Sequence, residues 1–208
     1  MRAIKIAAAT FILWLAVPFL ALGHLHEKYE GWCHSLQNAN SPELVQFLNA
    51  VVPDEWNARG VTWAVHKLSQ ERHEPAIPAL VKLLDFRIPR PPVEGIFRSL
   101  SEETFPAEEA LERIGKKALP EVLCAIETDA TSAIARENAL SVWMEIYRES
   151  DEQPKGVGLL KLEETRTKDG EVKQRLSWAV QKALTRCNPP EKSACEQAAK
   201  AGSLVPSP

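Results

Sequence analysis

A pair of near-duplicate segments constrains the fold of this chain more than any other feature. The segments are Ala76–Asp85 (AIPALVKLLD) and Ala118–Glu127 (ALPEVLCAIE), and each follows a run with helical spacing. Such a duplication is typical of the second helix of a repeated helix pair. Helix pairs of this kind bury their apolar faces only by stacking on one another, so the sequence predicts a short α-solenoid that binds rather than catalyses.

Helical periodicity dominates the rest of the sequence, and strand patterns are nearly absent. Ser41-Pro42-Glu43 is typical of a helix start, with Ser41 as the cap and proline in the first turn. Asp54 is a second candidate cap, Gly115 is a candidate helix stop, and Asp169 with Gly170 predicts a turn. The apolar stripes between these signals predict an all-α chain of about eight helices.

The first 23 residues are predicted to be a signal peptide or an N-terminal membrane anchor. Arg2 and Lys5 are followed by an uncharged apolar run from Ile6 to Leu22, and small residues at Ala21 and Gly23 suit a peptidase. The run has a length between that of a signal sequence and that of a membrane span, so cleavage and retention both stay open. Either outcome predicts an exported protein that is periplasmic, secreted or anchored through residues 4–22.

Three further regions follow from composition and pattern. We predict an N-terminal capping segment over residues 24–53, a helical repeat domain over 54–187 and a C-terminal tail over 188–208. Without Arg2 and Lys5, the 25 basic residues fall to 23 against 28 acidic ones, a formal charge of −5. This charge disfavours a nucleic-acid partner, because phosphate binding needs a basic surface.

All four cysteines lie after the leading segment, and an oxidising compartment would favour disulfides between them. Cys187 and Cys195 flank Asn188-Pro189-Pro190 and are predicted to form a local bridge. That bridge would leave Cys33 to pair with Cys124. The alternative is two buried free thiols, which suits Cys124 because it lies in an otherwise apolar helix.

The stretch from Phe86 to Pro106 interrupts the helical pattern with several prolines, and long connections inside compact domains are often functional. It is locally basic on an acidic protein, so it is one candidate partner-binding surface; the alternative is an insertion that only packs over the domain edge. Trp56 and Trp63, seven residues apart, are further candidates if either is exposed. The predicted partner-binding residues are Arg87, Arg90, Phe97, Arg98, Trp56 and Trp63.

Catalytic patterns are weak throughout the sequence. His26-Glu27 and His73-Glu74 lack the second histidine of a zinc-protease helix. Adjacent glutamates such as Glu108-Glu109 are interpreted as solvated faces or as favourable charges in a first helical turn. We therefore predict no catalytic residues and no cofactor. The remaining hypothesis is a metal site formed by His24, His26 and His34, against the simpler interpretation of a solvated terminus.

A family resemblance supports the repeat interpretation. Lys67–Leu84 and Ala110–Leu123 resemble HEAT-like repeats of the kind first named from phycobilisome lyases. Ala135–Leu140 and Val172–Leu176 resemble the basic start of the first helix in such repeats. The likeness covers Asp54–Arg186 and implies a curved array of helix pairs whose concave face or loops hold another protein. Bilin attachment, known for some relatives, is not carried over, because the shared residues are packing residues.

The spacing of the repeats departs from the family pattern. The matching alanines Ala64, Ala110, Ala139 and Ala179 are separated by 46, 29 and 40 residues. The sequence therefore predicts an irregular solenoid that acts as a noncatalytic protein-binding or assembly module in the cell envelope or outside the cell. The alternatives are an exported metal-binding protein and an enzyme with an unrecognised site.

Overall fold

The fold is all-helical over the part of the chain that the structure describes. This structure is a computed structural model, and it describes residues 36, 38–54, 57–88, 105–150 and 152–201. Within these ranges every regular element is a helix and no strand occurs, so the predicted all-α class is confirmed. No helix in the described ranges is both long and apolar enough to cross a membrane.

The described helices are short, and most are joined by tight connections. Two 3₁₀ turns, Glu74–Ala76 and Gly115–Ala118, lead directly into the helices that follow them. The α-helices, in chain order, are α1 Ser41–Ala50, α2 Ala58–Gln70, α3 Ile77–Lys82, α4 Pro106–Ile114, α5 Leu119–Glu127, α6 Ala133–Glu149, α7 Gln153–Arg166, α8 Gly170–Arg186 and α9 Lys192–Ala201.

The near-duplicate segments form the same local structure twice. Each begins in a 3₁₀ turn and continues as a short α-helix, α3 in the first copy and α5 in the second. Pro78 and Pro120 lie in the first turns of these helices, where the missing N–H removes no intrahelical hydrogen bond. The shared sequence therefore specifies where the second helix of each pair begins.

Successive helices contact one another in two rows. In the first row α2 packs on α4, α4 on α6, α6 on α7 and α7 on α9. In the second row α3 packs on α5 and α5 on α8. Because α6 and α7 are consecutive in sequence yet neighbours in one row, the pairing loses its regularity there. Stacking of the pairs into a solenoid stays a prediction.

Three predicted helix boundaries differ from those of the structure. The cap of α1 is Asn40 rather than Ser41: its Oδ1 accepts from the Glu43 N–H at 3.0 Å, and the Glu43 carboxylate accepts from the Asn40 N–H at 2.9 Å. Asp54 exchanges similar hydrogen bonds with Asn57, so α2 begins only at Ala58. The predicted turn at Asp169 is instead the cap of α8, whose side chain accepts from two first-turn N–H groups.

One continuous core joins the rows. Each helix from α2 to α8 contributes at least one aliphatic side chain that is fully removed from solvent, and each such burial contributes about 1.5–3 kcal/mol. The side chains are Leu68, Leu80, Leu111, Ile126, Leu140, Leu160 and Leu176. The fold therefore depends on contacts between helices that are distant in sequence.

The corner between α6 and α7 depends on a glycine. A Cβ at Gly156 would lie 2.6 Å from Cδ2 of Tyr147, so only glycine lets the two helices approach this closely. The indole N–H of Trp143 donates to the carbonyl of Gly156 at 3.1 Å. Trp143 is itself buried, so this hydrogen bond lies within the core.

The predicted bridge between Cys187 and Cys195 is confirmed, with the two Cα atoms 6.8 Å apart. Cys187 follows α8 directly and Cys195 lies on α9, so the bridge holds the last helix beside α7 and α8. The carboxamide of Gln153 accepts from the Asn188 N–H at 3.1 Å and fixes the intervening loop to α7. The segment predicted as a tail over 188–208 thus contains a packed helix. A disulfide indicates an oxidising setting.

The second predicted bridge stays a prediction, because Cys33 lies outside the described residues. Among the described cysteines, Cys124 has no disulfide partner. Its side chain is exposed on α5, with Sγ 3.6 Å from the hydroxyl of Thr128. The alternative of a buried thiol at Cys124 is therefore wrong, because the residue lies on the solvent side of its helix.

The disulfide is expected to stabilise the fold measurably. Replacing both Cys187 and Cys195 with serine should lower the free energy of unfolding by about 2–3 kcal/mol, because it removes a short covalent loop from the unfolded chain. Urea denaturation measures this change, and Cys124→Ser serves as the control with an unchanged midpoint. A wild-type midpoint that does not respond to reductant would contradict the prediction.

Gly115 is expected to resist substitution for a backbone reason alone. Its φ is +79° and ψ is −145°, a region that side chains rarely adopt, although no atom lies within 4 Å of an added Cβ. Gly115→Ala should therefore cost about 1–3 kcal/mol. Gly170→Ala is the matched control, since Gly170 also has open space but no left-handed φ. Equal thermal midpoints for the two variants would contradict the explanation that the positive φ of Gly115 causes the loss of stability.

Candidate partner-binding groove

An open groove lies where the turns of the first two helix pairs meet. We call it the turn groove; its volume is about 730 Å³. One wall comes from the end of α2, the first 3₁₀ turn and the start of α3, and the other comes from the second turn and the start of α5. The lining residues are Glu71, Arg72, His73, Glu74, Pro75, Ile77, Pro78, Lys117, Pro120 and Glu121.

Arg72 ends α2 in a conformation that favours glycine. Its φ is +47°, the single positive value recorded for a non-glycine residue in the described ranges. The Arg72 N–H donates to the Ser69 carbonyl at 3.1 Å and the His73 N–H to the Leu68 carbonyl at 3.0 Å. This pair of hydrogen bonds is the Schellman pattern, in which glycine usually occupies the position of Arg72. An arginine there costs about 1–2 kcal/mol of backbone energy.

The Arg72 side chain has no polar partner among the described residues. It is exposed, and its guanidinium forms no hydrogen bond or ion pair with them. Arg72 also lines the turn groove. A strained residue without internal partners is typical of a site that acts on something outside the fold.

The floor of the turn groove is mainly apolar. Pro75, Pro78 and Pro120 are exposed there, and the lining also includes Ile77, which is 6% exposed. Proline rings present apolar surface and have no N–H that would need a partner. A ligand crossing this floor would bury apolar surface without leaving backbone donors unsatisfied.

Some of the charged groups on the walls are paired and others are not. Lys117 forms an ion pair with Glu74 across the two turns, and the Ser41 hydroxyl donates to the Glu71 carboxylate. Both pairs are exposed and contribute little stability, about 0–1 kcal/mol. Glu121 has no partner among the described residues. The turn groove therefore has an unpaired cation on one wall, Arg72, and an unpaired anion on the other.

A separate acidic cluster lies between α4 and α6. Burial raises the pKa of Glu108 to about 7, against a lowering by the nearby Arg186. Burial also raises the pKa of Glu112 to about 7, with further repulsion first from Glu145 and then from Glu108, Glu149 and Glu109. The interpretation of Glu108 as a favourable first-turn charge is therefore incomplete, since partial desolvation dominates.

The cluster does not form a metal site within the described part of the chain. No group of three or more potential metal ligands occurs there. Glu145 is paired with Arg148, and Arg186 donates to the Ser141 hydroxyl at 2.9 Å. Glu108 and Glu112 do not line the turn groove. What distinguishes both groups is a pKa that partial burial raises to about 7.

The structure places only part of the predicted partner-binding set. Arg87 is exposed at the end of the first pair, and Trp63 is half-buried with the Lys67 ammonium 5.3 Å from its ring centroid. Neither lines the turn groove. The other predicted site residues lie outside the described ranges: Trp56, Arg90, Phe97, Arg98, the predicted metal ligands His24, His26 and His34, and Cys33.

Sequence reasoning missed Arg72 and the turn groove. His73-Glu74-Pro75 was considered only as an incomplete zinc-binding pattern. The near-duplicates did contain a usable signal, because the turns that precede two equivalent helices end up side by side when the pairs stack. The sequence contains no comparable signal for the left-handed conformation of Arg72, because arginine, unlike glycine, is not typical of that conformation.

No protein-family model, no curated protein and no solved structure matches this chain. The resemblance to HEAT-like repeats therefore stays a prediction made on the residues named above.

The acidic cluster predicts a pH-dependent stability. A carboxyl whose pKa rises from 4.5 to about 7 on folding stabilises the fold fully below pH 4.5, and this contribution is lost as the pH rises through 7. Glu112→Gln should therefore leave stability unchanged near pH 4, below the unfolded-state pKa, and raise it at pH 8. The gain should be about 1 kcal/mol, a figure discounted for solvent screening of a half-buried side chain.

Urea midpoints at pH 4 and pH 8 test this expectation. Glu196→Gln is the control, because Glu196 is an exposed residue of α9 outside the cluster. If wild type and Glu112→Gln lose stability equally between the two pH values, Glu112 does not carry the effect.

Proposed function

We propose that this chain is an exported, noncatalytic protein-binding module built on HEAT-like helix pairs, and that its partner binds in the turn groove. The observation that carries the proposal is the combination found there: an open apolar floor, with an unpaired charged group on each wall. Small-molecule sites enclose most of their ligand, whereas this groove is open along its length. Its shape suits an extended segment of another protein.

Rigidity of the walls supports binding. Pro75 limits the backbone freedom of the first turn, Pro78 and Pro120 do the same at the starts of α3 and α5, and the Lys117 to Glu74 ion pair links one turn to the other. The helices behind the turns are anchored by fully buried side chains, Leu80 in α3 and Val122 in α5. A surface that is ordered before binding loses less conformational entropy when the partner arrives.

Export is the second part of the proposal. It rests on the pattern of residues 1–23, which lie outside the described ranges, and on the disulfide, which persists in oxidising compartments. Cleavage of the leading segment and its retention as an anchor both remain compatible with a partner in the cell envelope or outside the cell.

The two alternatives differ in their support. The metal-binding alternative uses His24, His26 and His34, and no observation on the described residues favours it. The enzyme alternative has one observation in its favour, the raised pKa values of Glu108 and Glu112, which suit a general acid or base. We rank it second because both groups lie away from the turn groove.

Site-specific photocrosslinking in the native host tests the proposal. A photoreactive amino acid in place of Glu71 lies in the groove, and the same amino acid in place of Lys173 on α8 is a surface control. We expect a defined protein adduct from position 71 that is absent from position 173. Identical adducts at the two positions, or none at position 71, would count against the proposed function.

A further inference from the structure

The left-handed backbone conformation of Arg72 indicates which chemical group the partner presents to the groove. Glycine would satisfy the same turn without the cost of a left-handed side chain. The guanidinium of Arg72 recovers none of this cost through contacts with the described residues. The N–H donors of the guanidinium are therefore free to bind a group of another molecule at the groove.

Guanidinium chemistry narrows that group to an anion. Arginine presents a planar fork of N–H donors that matches a carboxylate or a phosphate with two parallel hydrogen bonds. The turn groove already holds the carboxylates of Glu71, Glu74 and Glu121 against the cations of Arg72 and Lys117. This excess of negative charge repels a doubly charged phosphate more than a singly charged carboxylate, so a carboxylate is the better match.

Glu121, on the opposite wall of the groove, favours a cationic group of the partner. Glu121 is exposed and lies in the first turn of α5, with no ion pair to the described residues. A lysine or arginine of the partner would meet it there. Like charges at this wall would be repelled, so Glu121 also sets the direction in which a segment lies across the groove.

The lining of the turn groove also contains apolar groups. Pro75, Pro78 and Pro120 form an exposed floor that an aliphatic or proline side chain of the partner would cover. Each covered ring adds hydrophobic contact, and none leaves a buried N–H without an acceptor. The lining of the groove thus combines a cation, exposed apolar rings and an anion.

We infer that the turn groove recognises an extended protein segment in which an acidic residue for Arg72 and a basic residue for Glu121 flank apolar residues. This inference rests on the proposed function, because it names the partner chemistry of the same groove. The acidic residue binds Arg72 and contributes most of the affinity. The basic residue binds Glu121 and fixes the direction in which the segment crosses the groove.

A peptide array tests the inference with the full-length chain. One set of immobilised synthetic hexapeptides carries Asp or Glu and Lys or Arg on either side of two residues drawn from Leu, Ile, Val and Pro. The matched set has Asn or Gln in place of the acidic residue. We expect at least about tenfold weaker binding to the amide set, because a charge-assisted pair is lost.

Variants of the chain locate the effect. Arg72→Gly keeps and relaxes the left-handed turn while removing the guanidinium, so it should abolish the preference for acidic peptides without lowering the thermal midpoint. Arg59→Ala is the matched control, because Arg59 is an exposed arginine of the same helix that does not line the groove. Glu121→Lys should remove the requirement for a basic residue in the peptide.

The outcomes separate this inference from the proposed function. Equal binding of the acidic and amide sets, or an unchanged preference in Arg72→Gly, overturns the inference. If no peptide binds but position 71 still crosslinks to a defined protein, the inference fails and the proposed function stands. If no peptide binds and position 71 gives no adduct, both fail.

Discussion

The fold depends on burial between helices that are too short to be stable alone. Helix α3 has 6 residues, and α4 and α5 have 9 each, whereas isolated helices below about 12–15 residues are marginal in water. Each of these three helices contributes a side chain that is fully removed from solvent by neighbouring helices. Order in the first two pairs is therefore a collective property, and the turns between their helices are held in place by the core behind them.

The turn groove follows from that collective packing. The two 3₁₀ turns are brought side by side because the near-duplicate helices that follow them pack on each other, α3 against α5. Lys117 and Glu74 pair with each other in the groove, whereas Arg72 and Glu121 are exposed without a partner among the described residues. The exposed charges contribute little to folding, and Ile77 is the lining residue that also belongs to the core.

The second half of the described chain is held together by different means. Where the regular pairing ends, the α6–α7 corner relies on the close contact of Gly156 with Tyr147, and α9 is secured by the disulfide. The acidic cluster between α4 and α6 works against folding near neutral pH, because Glu108 and Glu112 are partly desolvated beside other carboxylates.

The sequence by itself determined the helical class, the positions of most helices and the local disulfide. These are short-range properties: helical periodicity, proline in a first turn, and two cysteines a few residues apart constrain the chain without knowledge of its neighbours. Tertiary structure decided the groove, the burial of Glu108 and Glu112, and the exposure of Cys124. Each depends on which helix faces which, and therefore on packing between residues distant in sequence. The left-handed turn at Arg72 belongs to the same group, because arginine adopts it only where the surrounding fold imposes it.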